Sequence, residues 1–112
     1  MEEGISCKQV ELSDAFKANR IHIYDYTINM FGYLQAERYL QLIEKSLFTL
    51  SHFYMLYPEC RHMPTKSRMY RNIILDAHLI IYRITDYRIE VLDIIHSASN
   101  ISKIRNTRKI HI

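Results

Sequence analysis

Apolar residues recur along this chain in two rhythms, helical in the first half and strand-like in the second, and the change falls at Tyr57-Pro58. Ala36, Leu40, Ile43, Leu47, Leu50 and Tyr54 alternate steps of four and three, while Gln35, Glu37, Arg38, Gln41, Glu44 and Lys45 fill the rest of the wheel. That spacing predicts a long amphipathic helix. Upstream, Phe16, Ile23, Thr27 and Met30 keep helical spacing behind the capping residues Ser13 and Asp14, and Gly32 can take the left-handed conformation that closes a helix. A first helix is therefore expected over Asp14 to Phe31. The connection is short, so the two helices should form an antiparallel hairpin. Pro58 ends the helical region because it breaks the backbone ladder and biases Tyr57 away from helical angles.

A loop of about ten residues follows, carrying Arg61, His62, Lys66 and Arg68, and passes into a strand with Arg71. Ile73 to Leu75, Leu79 to Thr85 and Ile89 to Ile95 are rich in β-branched and aromatic residues and are separated by Asp76-Ala77-His78 and Asp86-Tyr87-Arg88, which predicts a meander with tight turns. Ser6 to Leu12 alternates weakly and is expected to be a first strand. Strand, helical hairpin and meander in that order predict an α+β domain, with both helices on one face of an antiparallel sheet of three or four strands. The opposite face is expected to be free for function.

With 112 residues the chain has room for a single domain with one modest core. Its net charge is only +3, but no acid occurs from Ser97 to Ile112, where Lys103, Arg105, Arg108 and Lys109 lie. Residues 98–112 are thus expected to be a basic tail, either a solvated extension or an arm that meets phosphate or an acidic partner, and folding is not expected to depend on it. Cys7 and Cys60 stand apart without a metal-ligand spacing, so neither a metal site nor a disulfide framework is expected. There is no Gly-rich phosphate loop, nucleophile elbow or paired-carboxylate motif, and no cofactor is expected. No apolar run approaches the ~20 residues of a membrane span. Met1-Glu2-Glu3-Gly4 lacks the basic region of a signal peptide, so a cytoplasmic location is expected.

Arg83 sits in an apolar strand, where an unpaired charge is costly, and is expected to emerge on the open face or to pair with a carboxylate such as Asp93. His96 ends the last strand, as a capped structural residue or a functional one. Tyr24, Tyr26, Tyr33, Tyr39, Tyr54 and Tyr57 make the helical half tyrosine-rich, which suits packing with a wet hydroxyl edge or a partner groove.

Ile23-Tyr24-Asp25-Tyr26-Thr27, Phe31-Gly32, Gln35-Ala36-Glu37-Arg38-Tyr39, Leu56-Tyr57-Pro58, Tyr82-Arg83-Ile84-Thr85 and Ile94-Ile95-His96 occur in that order across roughly Val10 to Ile101. Together they resemble the ParE/RelE superfamily of toxins from bacterial toxin–antitoxin pairs, and the Gln-Ala-Glu-Arg-Tyr and Tyr-Arg-Ile-Thr pieces look more like the ParE branch. The chain departs from the family pattern at Asp14, where proline is frequent, at Arg20, where leucine is frequent, and at Ser97-Ala98-Ser99, where Gly-Arg-Arg is frequent.

The resemblance implies a growth-inhibiting toxin of the plasmid-stabilisation type, which binds DNA gyrase and is neutralised by a ParD-like antitoxin. Expected target-binding residues are Arg61, Arg68, Arg71, Arg83, Lys103, Arg105, Arg108 and Lys109; expected antitoxin-binding residues, apolar and outside the main helical stripes, are Tyr24, Tyr39, Leu42 and Phe48. A ribosome-dependent mRNA endonuclease of the RelE kind is the alternative, drawing on His62, Lys66, Arg68, Arg71, Arg83 and His96 for phosphate stabilisation and proton transfer. An inactive member that only binds an antitoxin is the third possibility.

Overall fold

A computed structural model describes residues 7–112. Strand β1 (Gln9–Leu12) is followed by helices α1 (Asp14–Phe31) and α2 (Tyr33–Phe53), strands β2 (Tyr70–Ile74), β3 (His78–Ile84) and β4 (Arg88–His96), and a short helix α3 (Ile101–Asn106) that tightens into a 3-10 turn at Thr107–Lys109. The amino-terminal part of the expected first strand, at Ser6, lies outside the described residues. Helix α1 begins where Ser13 Oγ accepts the amide of Phe16 at 2.9 Å. It ends at Gly32, whose φ of 90° suits a residue without a side chain and whose single link turns the chain into α2.

The sheet order is β1-β4-β3-β2, with β2, β3 and β4 antiparallel in sequence. β1 departs from the expected antiparallel arrangement and runs parallel to β4, which makes the sheet mixed. No hairpin turn joins β1 to β4; the whole helical hairpin and the meander intervene, so turn geometry does not set its direction. Both margins of the sheet are blunted. Along β2, the amide of Cys60 donates to Tyr70 O at 2.8 Å and that of Asn72 to Pro58 O at 3.1 Å. On the other side β1 has only four residues, and beyond Leu12 Ser13 Oγ donates to Leu92 O while Asp93 Oδ1 accepts the amide of Ile94.

The helices cover one face of the sheet. Phe16, Ile43 and Leu50 from the hairpin meet Ile80, Tyr82 and Val91 from the strands, all of them fully buried. Tyr82 donates its hydroxyl to Tyr54 O at 2.6 Å, closing the end of α2 onto β3. Met30, expected on the buried stripe, is exposed. Helix α1 starts midway along β4, with Ser13 at Leu92, and has reached the end of that strand where His22 lies near His96, so the turns that carry Met30 run past the sheet.

The opposite face is not free, which corrects the expectation. Cys60 and Met63 from the loop and Ile104 from α3 pack over Ile81, Leu92 and Ile95 as a second core. The cause is legible in β3 and β4. Ile80-Ile81-Tyr82 and Val91-Leu92 are consecutive buried residues, and a strand apolar on both sides must be covered on both sides. The basic tail is accordingly folded, with Ile104 and Thr107 buried and their charged neighbours outside.

Arg83 pairs with Glu90, its cross-strand neighbour in register, at 2.7 Å, and not with Asp93. Asp93 stands opposite Ile81 across the bulge at Leu92 and accepts a hydrogen bond from Asn19 Nδ2 at 2.6 Å. Arg88 reaches the other oxygen of Glu90 at 2.8 Å. Burial alone would raise the Glu90 carboxyl, but hydrogen bonds and charge from Arg83 and Arg88 outweigh it and hold the group below its usual range. Asp93 is shifted the other way, pushed up by burial against the hydrogen bond of Asn19.

The sign of the linkage follows. A carboxyl depressed in the fold stabilises above its unfolded value of about 4.3 and loses that contribution as pH falls through the lower folded value. Asp93 opposes it, since a raised carboxyl gains stability on protonation. Glu90→Gln is therefore expected to lower the melting temperature most near neutral pH, with the gap to wild type closing as pH is lowered toward about 3. A pH series of melting curves checks this; a gap that stays constant with pH would show that the charge of Glu90 carries none of the effect.

Candidate functional site

At the linker end of the helical hairpin, the overhang of α1 stands beside the β2–β3 turn and the end of β4. Two adjoining depressions there measure about 480 and 170 Å³ and share Tyr26, Phe31, Ala77 and His78. His22 and His96 line the larger one, Tyr39 and Asp76 the smaller. The rings of His78 and His96 meet edge to face with centroids 5.6 Å apart, and Tyr39 bonds His78 Nδ1 at 2.7 Å. Burial, reinforced by the facing His96, holds the His78 imidazole below the usual histidine range. The result is a largely apolar, aromatic groove with hydrogen-bonding side chains along it, suited to receive a side chain from a partner.

Strand register brings His78 and His96 opposite each other, a pairing hidden in sequence because His78 reads there as a turn residue. His22 joins them only through the packing of α1 on β4. Among the described residues no group of three or more His, Cys, Asp or Glu is placed to hold a metal ion.

The expected nuclease residues do not converge. Arg71, 6 % exposed, lies under the end of α2, where its guanidinium donates to the carbonyls of Arg68, Met55 and Tyr57 at 2.8, 3.0 and 3.0 Å. Arg83 faces the opposite side of the sheet, bound to Glu90 and to the carbonyls of Arg108 and Ile110. His96 sits across from His78 at the far end of β3, five residues or roughly 16 Å from the level of Arg83. Arg68 has a positive φ of 57° and approaches Glu59 at 3.7 Å. Lys66 is exposed, and His62 offers its carbonyl to Arg105 Nε at 3.2 Å.

Of the expected partner-binding residues, Tyr24 donates its hydroxyl to Glu37, which pushes the phenol up to about 12, and Tyr39 is half-buried against the first core. Leu42 and Phe48 are 39 % and 85 % exposed, and so are available. Among the expected target-binding residues, Arg61, Lys103, Arg105, Arg108 and Lys109 are exposed, whereas Arg71 and Arg83 are engaged in the fold. Within the described residues no helix is long and apolar enough to cross a membrane.

No curated protein sequence matches the chain. A solved structure described as "Chromosomal ParDE TA system from P. aeruginosa" superposes with a TM-score of 0.66 at 17% identity, covering 80% of this chain and 96% of that one, which shows a shared fold. A family model described as "ParE toxin of type II toxin-antitoxin system, parDE" matches residues 10–101. The helical hairpin, the four-stranded sheet and that match together place the protein in the ParE toxin family.

Proposed function

We propose that this protein arrests growth by binding DNA gyrase and that a ParD-like antitoxin neutralises it. The observation that carries the choice of gyrase over message cleavage is the dispersal of the nuclease candidates: Arg71 and Arg83 lie on opposite faces and are consumed by structural bonds, and His96 is roughly a strand's length from Arg83. Cleavage by general acid and base requires such groups within hydrogen-bond reach of one phosphate. A protein that blocks its target by occupation needs no such convergence. For the antitoxin, an amphipathic segment laid along the hairpin is supported by exposed Leu42 and Phe48 and by the groove at the linker end.

Purified toxin is expected to inhibit gyrase supercoiling, and its induction in cells should block replication before messages decline. Intact supercoiling together with cleavage of ribosome-bound messages at discrete positions would instead establish the endonuclease.

A further inference from the structure

We propose that the outer surface of the layer over the second core binds the phosphate backbone of duplex DNA. Two segments build that surface. In the loop, Cys60 and Met63 face inward and Arg61 faces out; in the carboxy-terminal segment, Ile104 and Thr107 face inward and Arg105, Arg108 and Lys109 face out. Arg105 Nε donates to His62 O, which locks the segments side by side, and Arg83 fixes the second of them through the carbonyls of Arg108 and Ile110. The cations are thereby presented by an ordered layer and not by a free tail.

Nearby acids do not cancel them. Glu90 is 8 % exposed and is enclosed by Arg83 and Arg88, Glu59 is engaged by Arg68, and Asp93, which shares a depression with Lys103, is half-buried and bonded to Asn19, so Lys103 is left out of the proposed surface. Among the described residues Arg61, Arg108 and Lys109 have no ion pair of their own. From Ser97 to Ile112 there is no Phe, Tyr or Trp of the kind on which protein interfaces and single-strand binders rely, and Tyr70, the aromatic packed against this core, is half-buried with the Arg83 guanidinium over its ring, while Ser and Asn residues that can bond phosphate oxygens are frequent in the segment. A cationic, polar, rigid face of this kind matches a duplex, whose charge density is one phosphate per ~1.7 Å of axis. The inference deepens the gyrase reading, because gyrase holds DNA, but naked DNA tests it, so the two can fail separately.

The experiment is fluorescence anisotropy of a labelled duplex of about 20 base pairs, titrated with purified toxin between about 50 and 200 mM salt. Arg61→Glu/Arg108→Glu/Lys109→Glu is compared with Lys17→Glu/Arg38→Glu/Lys45→Glu, which carries the same charge change on the helical hairpin. Melting curves confirm that both variants fold. The first variant is expected to weaken binding on the order of 100-fold at the lowest salt and to flatten the salt slope by about 0.9 for each phosphate that is no longer neutralised. The hairpin variant should stay near wild type. Equal weakening in the two variants, absence of binding by wild type at low salt, or tighter binding to poly-glutamate or single-stranded RNA than to the duplex would each overturn the proposal.

Discussion

Removing residues 103–112 is expected to lower the melting temperature by about 20 °C, although the segment is polar and strongly basic. The deletion takes Ile104 and Thr107 out of the second core and uncovers Met63, Ile81, Leu92 and Ile95. It also strips Arg83 of two carbonyl acceptors. Lost burial of Ile104, exposure of the residues beneath it and the broken hydrogen bonds amount to about 5 kcal/mol, a third or more of the stability of an ordinary domain. At roughly 4 °C per kcal/mol for a chain of this size, that loss sets the expected shift. Differential scanning calorimetry of the truncated protein beside Arg105→Ala/Arg108→Ala separates packing from charge, since the double substitution keeps the buried residues. An unchanged transition after truncation would show that the segment is a solvated extension.

Arg71→Ala is expected to cost about 3 to 5 kcal/mol. The guanidinium is the common donor for three carbonyls, those of Met55 and Tyr57 just beyond α2 and that of Arg68 before β2. Alanine removes the one donor that ties these three carbonyls together, so the end of α2 and the loop before β2 lose their common attachment to the strand. Arg71→Lys keeps the charge but replaces a planar fork by a single ammonium, so it should recover only part of the loss. Chemical denaturation of both variants measures the effect. A loss below about 1 kcal/mol for alanine would mean that the loop carbonyls find other partners.

Local signals made the helical half readable. Ser13 and Gly32 mark the ends of α1 by side-chain chemistry and by absence of a side chain, and α2 declares itself through an unbroken apolar stripe. The meander was readable for the same reason, because its turns are short and its strands β-branched. Pairing was not. The partner of Arg83 depends on a register that the bulge at Leu92 shifts, and Glu90, not Asp93, is the residue brought across from it. Coverage of the second face was signalled by the double-sided apolarity of β3 and β4, but α3 is a six-residue helix with a single buried isoleucine, too short for any periodicity to reveal. The histidine-lined groove draws His22, His78 and His96 from three elements, so only tertiary packing assembles it.

The blunted margins of the sheet bear on what happens when the chain is separated from a protective partner. Exposed strand edges recruit one another, and a toxin released with a long open edge would be drawn into ribbons of stacked sheets before reaching any target. Here the loop backbone at Pro58 and Cys60 runs along β2, β1 is four residues long, and Ser13 and Asp93 occupy polar groups of β4 where β1 stops short. The described residues of the isolated protein therefore offer other chains little template for strand pairing, a safeguard that lies in the backbone and not in the net charge.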